Sequence, residues 1–241
     1  MRFNGVDLMT VHPAISRSQE FPPGMAKRNI TTVETSRREI VAGVSMAQDE
    51  YTVRVNIAGR TYAEAMQARE KLAAWAASSG KQTAWLEPTH AHGRAYRAIV
   101  KSVGRIEKRF GTVDVTFLLA DPVQYETMLQ SHQATNSVLV FHVSGSADIE
   151  PEISFTASEA AESLKIMHNG APLISMDGAI AAGDTVEIAL ETGALTVNGE
   201  HAENRIVYTE TDFDAEFEPG RHELTASCGG TLKARWRNAW Q

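Results

Sequence analysis

The chain has 241 residues, 43% of them hydrophobic and 22% charged, which is ordinary for a soluble globular protein and enough for one large or two smaller domains. Its one cysteine, Cys228, excludes an intrachain disulfide and a metal site made of cysteines alone. Net charge is −7, but residues 1–130 carry 17 Lys and Arg against 13 Asp and Glu, whereas residues 131–241 carry 6 against 17. This asymmetry predicts two domains, and the basic excess of the first is too dispersed for a nucleic-acid surface.

The N-terminal 50 residues have little regular pattern. FNGVDL predicts a short strand with an Asn-Gly turn, and Pro22-Pro23-Gly24 predicts a loop. The first residues lack the apolar core of a signal peptide, and no stretch approaches the roughly 18 apolar residues of a membrane span. An irregular connection this long is typical of an extended arm.

A strand and an amphipathic helix follow. Tyr51 to Ile57 alternates between apolar and polar residues, which places its apolar side chains on one strand face. Thr61 and Glu64 form a capping-box pattern, and the helix they open is expected to run to a stop at Gly80. Its apolar face is predicted to comprise Ala65, Ala68, Leu72, Trp75 and Ala76.

Three more strands complete the first half. They are expected at Ala84–Leu86, from Arg94 to about Glu107, and over GTVDVTFLLA, with a hairpin turn at Arg109-Phe110-Gly111 and an end at Asp121-Pro122. Residues 1–130 are therefore predicted to form an α+β domain, a mostly antiparallel sheet with one helix packed on it. TMLQSHQATNS lacks pattern, which places the boundary near residue 130.

Residues 131–241 contain only strand patterns, separated by turns about every ten residues. DTVEIALETGALTVNGEH, for example, predicts a strand, a short turn, a second strand and an Asn-Gly turn. RIVYT and TLKARWRNAW are also predicted strands. Such spacing is typical of a β-sandwich or jelly roll.

The order of these motifs resembles a known family. FNGVDL, the helix ending in LAAWA, TAWLEPTHAHGRAYRAIVKSV, VTFLLADP, GDTVEIALETGALTVNG and FEPGRHEL together are similar to the distal tail protein, Dit, of long-tailed non-contractile bacteriophages and their prophages. The resemblance covers essentially the whole chain. It marks Phe3, Asn4, Gly5, Asp121 and Pro122 as family-like positions of ring structure.

The resemblance implies a structural role. The N-terminal domain would assemble into a hexameric ring around the tail channel, with a galectin-like or carbohydrate-module-like sandwich outside it. The ring would join the tail tube to the tail-tip or baseplate protein, in the virion tail, with DNA only passing through the channel. No enzyme activity, cofactor or metal is implied, and the tight strand spacing from 137 to 241 leaves no room for an inserted receptor-binding domain.

Other interpretations concern binding and catalysis. Trp236 and Trp240 share a predicted strand face with Leu232, which favours a core or subunit interface, although outward rings would make a platform for a cell-wall saccharide. Asp212 or Glu216 would be candidates for a glycosidase carboxylate, but the same acidic run is typical of a solvated loop.

Two histidine patterns and a basic run have simpler explanations. His90 and His92 lack a third metal ligand, and Cys228 with His222 lacks an orienting partner for nucleophilic catalysis. The basic residues from Arg94 to Arg109 favour a charged strand edge over contact with DNA, because a channel through which DNA slides should not hold phosphates tightly.

Overall fold

The computed structural model of the chain describes residues 1–22, 28–34, 39–46, 49–105 and 110–241. It divides into two compact units, Met1–Tyr125 and Glu126–Trp240. The prediction of several antiparallel sheets with one helix is confirmed at this level. No helix in the described ranges is long and apolar enough to cross a membrane.

In the first unit, seven antiparallel strands in the order β2-β1-β7-β8-β9-β6-β3 form the main path of a larger sheet, in which β10 also pairs with β8. β4 and β5 pair separately as a hairpin. β10 carries the chain into the second unit. The strands and the helix α1 of this unit are β1 (Arg2–Phe3), β2 (Val6–Asp7), β3 (Ile15–Phe21), β4 (Arg28–Glu34), β5 (Glu39–Met46), β6 (Glu50–Ala58), α1 (Tyr62–Ala76), β7 (Ala84–Glu87), β8 (Arg94–Val103), β9 (Phe110–Leu119) and β10 (Gln124–Glu126).

The core of the first unit lies between α1 and one face of this sheet. The predicted inward residues of β6 and β9 are buried, and so is the whole predicted apolar face of α1. Thr61 caps the helix as predicted, because its hydroxyl accepts from the Glu64 N–H at 3.1 Å. The Glu64 carboxylate returns to the N–H of Arg60 at 2.6 Å. α1 ends at Ala76, however, so the helix end expected at Gly80 is wrong by about one turn. The N–H groups of Ala77 and Ser78 still donate to helix carbonyls, whereas the Gly80 N–H donates to Ala77 in the loop that follows.

Three other predictions in the first half need correction. The N-terminal 50 residues are not irregular, since β3, β4 and β5 lie within them. The strand from Arg94 ends at Val103, and Phe110 and Gly111 are not a turn but the start of β9, because they pair with Ala58 and Ile57 of β6. Arg109, like the Pro23-Gly24 part of the predicted loop, lies outside the described residues.

The second unit contains two antiparallel sheets, in the orders β11-β20-β13-β16-β17-β18 and β12-β19-β14-β15, and β21 lies outside both. They pack against each other where Phe141 of one sheet meets Trp236 of the other, with ring centroids 4.7 Å apart. The strands are β11 (Gln130–Ala134), β12 (Val138–Val143), β13 (Glu152–Ala157), β14 (Ala161–His168), β15 (Ala171–Ile180), β16 (Thr185–Ala189), β17 (Ala194–Val197), β18 (Glu200–His201), β19 (Gly220–Ala226), β20 (Gly230–Trp236) and β21 (Ala239–Trp240).

Most predicted strands of the second unit are present, and Asn198 and Gly199 adopt positive φ (53° and 80°), as the predicted turn requires. Two predictions are wrong. Part of the patternless TMLQSHQATNS is β11, a strand that pairs with β20. RIVYT is not a strand but lies across two 3₁₀ turns. The Arg205 guanidinium donates to the carbonyls of residues 177–179, and within RIVYT only Ile206 forms a β-bridge, with Met176.

Candidate functional surfaces

The Phe3-Asn4-Gly5 positions form a tight two-residue hairpin between β1 and β2. Asn4 and Gly5 have φ of 50° and 77°, a left-handed backbone that asparagine and glycine tolerate best. The turn is attached to its neighbours, because the Asn4 N–H donates to the Trp85 carbonyl at 3.0 Å and its amide donates to the Ser78 carbonyl at 3.3 Å. The local sequence therefore fixes where β1 enters the sheet.

Phe3 anchors this hairpin from inside. Its side chain is fully buried, and its ring lies 4.8 Å from the Phe117 ring and 5.9 Å from the Trp75 ring, in tilted and edge-on arrangements. The Trp75 indole N–H in turn donates to the carbonyl of Val6 at 3.0 Å. The three rings thus join the N-terminal hairpin, the helix and β9.

Asp121 and Pro122 lie in the turn that follows β9. The Asp121 carboxylate accepts from the Val123 N–H at 3.1 Å and from the Tyr125 hydroxyl at 3.3 Å. Tyr125 packs edge-on against Trp85, with ring centroids 5.8 Å apart. Asp121-Pro122 therefore shapes the end of the first unit, as Phe3-Asn4-Gly5 shapes its start.

A buried carboxylate that the sequence did not single out joins β3 to β6. Only 10% of the Glu20 side chain is exposed, and it accepts from the Tyr51 hydroxyl at 2.7 Å, the Thr89 N–H at 3.0 Å and the Thr89 hydroxyl at 2.5 Å. Burial alone would raise the pKa of Glu20, but these hydrogen bonds hold it below its ordinary value. Burial and Glu20 together raise the pKa of Tyr51. Glu20 is therefore ionised, and its hydrogen bond with Tyr51 ties the edge strand β3 to β6.

One histidine of each predicted pattern, His90 and His222, has a structural partner, whereas His92 is exposed. His90 lies beside Glu20, with Nδ1 3.3 Å from the carboxylate. His222 contacts His168 through Nδ1 at 2.8 Å and donates its Nε2–H to the Glu218 carbonyl at 2.7 Å. Both nitrogens of His222 thus face groups other than Cys228. Within the described residues no group of three or more His, Cys, Asp and Glu side chains could hold a metal ion.

The His168–His222 pair lies at the edge of the core of the second unit, with His222 buried and His168 half-buried. His222 is 5% exposed, and the His168 ring stacks on Phe217 with centroids 4.0 Å apart. Burial, and secondarily the proximity of His222, lower the pKa of His168. Burial also raises the pKa of the Cys228 thiol, so its thiolate is less available at neutral pH.

Trp236 and Trp240 do not form a common exposed platform. Trp236 is 3% exposed, and its indole N–H donates to the Asn238 side chain at 3.0 Å. The alternation of burial predicted for Leu232 to Trp240 holds through Asn238, beyond the end of β20 at Trp236, and fails after it, because Ala239 is buried and Trp240 is only half-buried. Trp240 is half-buried in β21.

The acidic run of the second half is solvated. Asp212, Asp214, Glu216 and Glu218 are all exposed and lie outside regular strands. Phe217 between them is fully buried, whereas Phe213 is half-buried. The acidic run is therefore a solvated loop, as expected, but only one of the two neighbouring Phe rings expected to be buried is fully so.

One family model and several solved structures are similar to this chain. Residues 144–240 match the family described as siphovirus-type tail component, C-terminal domain (SPP1_Dit). The crystal structure of SPP1 Dit, described as a paradigm of the hub adsorption apparatus in phages that infect Gram-positive bacteria, has a TM-score of 0.81 at 13% identity, over 100% of this chain and 98% of that chain. A search of curated proteins gave no match.

Two further solved structures share the fold more distantly. Chains of the phage P2 baseplate in its activated conformation have TM-scores of 0.53 with Ca and 0.52 with Sr, at 10% and 11% identity. They cover 92% and 91% of this chain and 91% and 90% of theirs. Residues 144–240 thus match the C-terminal domain family of siphovirus-type tail components, and the fold of the whole chain is similar to that of SPP1 Dit, which together confirm the resemblance to siphophage distal tail proteins.

Proposed function

We propose that this chain is a distal tail protein, a structural hub in the virion tail that connects the tail tube to the tail-tip or baseplate proteins. The observation that carries the proposal is the similarity to SPP1 Dit, a hub protein, over the whole length of both chains. The family match of residues 144–240 supports it independently. The proposed work is mechanical, and the chain needs no cofactor for it.

The proposal assigns different roles to the two halves. Residues 1–130 would form a hexameric ring, and residues 131–241 would be a galectin-like outer domain. The chain divides into two compact units close to this boundary, one with a sheet and a helix and one with two packed sheets, which supports separate roles for the two halves. Ring closure by rotation would repeat one pair of complementary surfaces around the axis.

The proposed partners follow from this position. They are other copies of the chain, the tail tube protein and the tail-tip protein, with DNA only passing through the channel. Lys101, in the basic run, supports passage rather than binding, because its ammonium already pairs with Glu50. Phe3, Asn4, Gly5, Asp121 and Pro122 would serve the ring indirectly, by shaping the first unit.

Assembly of the purified full chain tests the hub role. Light scattering and negative-stain microscopy should show closed rings, alone or after mixing with the tail tube and tail-tip proteins of the same phage. Monomers at every concentration, with no complex with either partner, would contradict the proposal.

Cross-linking between copies tests the assignment of the ring to the first half. Rings assembled from equal amounts of ¹⁴N- and ¹⁵N-labelled chains allow links between copies to be told from links within one copy. We expect the links between copies to concentrate in Met1–Tyr125. A concentration in Glu126–Trp240 would refute the domain assignment while leaving the hub role intact.

A further inference from the structure

The second unit carries a groove on the outward face of its six-stranded sheet. The groove has a volume of about 330 Å³ and is lined by residues of β13, β16, β17 and β20. Ile153 and Ile188, which alternate with these residues along β13 and β16, also border the groove, although each is only 1% exposed. The groove therefore belongs to a stable sheet and not to a mobile loop.

The strand register explains why the sheet surface is hollow there. One transverse row runs Arg235, Glu152, Ala189 and Ala194, and the next runs Lys233, Ser154, Glu187 and Thr196. In the first row the two alanines barely rise above the backbone. Long charged side chains in both rows stand beside them, so the small residues form a floor and the charged residues form walls.

The walls combine two cationic and two anionic side chains, which supply hydrogen-bond donors and acceptors. Arg235 and Glu152 form a loose ion pair at 3.6 Å, with both side chains largely exposed. The Glu187 carboxylate accepts only a long hydrogen bond from Thr196, at 3.4 Å. The Lys233 ammonium has no hydrogen-bond partner within the part of the chain that the structure describes. Most of this hydrogen-bonding capacity is therefore directed at solvent or at a ligand.

This chemistry selects among ligand classes. Two carboxylates disfavour a polyanion, two cations disfavour a polycation, and charged walls disfavour an apolar molecule. A sugar ring suits all of these wall and floor groups. Its hydroxyls donate to the carboxylates and accept from Lys and Arg, while its C–H face packs on the alanine methyls. The volume is at the small end of ligand sites, which suits one or two sugar rings.

We propose that the groove between Lys233, Glu187 and the Ala189–Ala194 floor is a binding site for an uncharged saccharide. This inference goes beyond the hub role and does not depend on it, because all lining residues lie in one unit. It also places saccharide binding on the charged face of β20, and not on Trp236, which faces the interior.

Saturation-transfer difference NMR on the full chain tests the site in any assembly state. The probes are glucose, galactose, N-acetylglucosamine and maltose, with glucuronate and glycerol as a charged and a non-cyclic comparison. At least one uncharged sugar should give saturable transfer in the millimolar range, strongest at its ring C–H protons. No saturable transfer from any uncharged sugar, or stronger transfer to glucuronate, would overturn the proposal.

Three variants then locate the site. Ala194→Leu fills the floor without changing charge, and Lys233→Ala removes one wall group; each should weaken binding about tenfold, the scale of one hydrogen bond to a charged group. Lys165→Ala, which removes an exposed lysine from the other sheet, should leave binding within about twofold. Equal binding by the wild type and Lys233→Ala would refute the site. Lys233 lies half-buried on the sheet surface and has no hydrogen-bond partner among the described residues, so this variant is expected to fold.

Discussion

Replacing Phe3 by alanine should unfold the first unit far more readily than any substitution on the surface of the same hairpin. Phe3 is fully buried and contacts two further aromatic rings, Trp75 and Phe117. Truncation of a buried phenylalanine costs about 3–5 kcal/mol, and the short β1 strand offers little freedom to close the cavity. Because a typical domain is stable by only about 5–15 kcal/mol, we expect a large loss of stability confined to Met1–Tyr125.

Hydrogen exchange with mass spectrometry along a denaturant series measures the two units separately. Peptides of the first unit should lose protection at much lower denaturant in Phe3→Ala, while peptides of Glu126–Trp240 keep theirs. The matched control is Val6→Ala in the same hairpin, where a side chain 46% exposed should change stability by less than about 0.5 kcal/mol. If Phe3→Ala were as stable as Val6→Ala and only failed to join tail partners, Phe3 would be a contact residue and this reasoning would be wrong.

Three other predictions concern buried groups. Glu20→Gln should destabilise the first unit by about 1–3 kcal/mol in denaturant unfolding, because an amide turns a donor toward the Thr89 and Tyr51 donors; an unchanged midpoint would contradict this. Since the folded state lowers the pKa of His168, the second unit should be most stable above the ordinary value of about 6.5 and weaken as pH falls below it, and His168→Gln should flatten this dependence in thermal unfolding. Gly230→Ala places a methyl 2.4 Å from the Phe155 ring, so a loss of about 1–3 kcal/mol is expected, and a wild-type melting temperature would refute the clash.

Periodicity predicted the parts of the fold that repeat over many residues. The β6 strand and the buried face of α1 follow directly from alternation and helical spacing, because each buries one continuous apolar face. The errors occur where a tertiary partner decides the outcome. β11 is polar except for Ala134 and is a strand only because it pairs with β20. RIVYT has the pattern of a strand, but the hydrogen bonds of Arg205 hold it in another conformation.

Dependence on a distant partner also explains why neither the candidate groove nor the hydrogen bonds of Glu20 could be predicted from the sequence. Glu20 sits in a polar stretch, and its burial depends on Thr89, which is 69 residues away. Likewise Ala189 and Ala194 look like ordinary strand residues until the register sets them beside Glu152 and Arg235. A sheet surface of this kind is specified by pairing between distant segments, so its shape follows from register and side-chain length together. If the groove binds sugar, comparing side-chain sizes across paired strands would be the way to look for similar sites in related sandwiches.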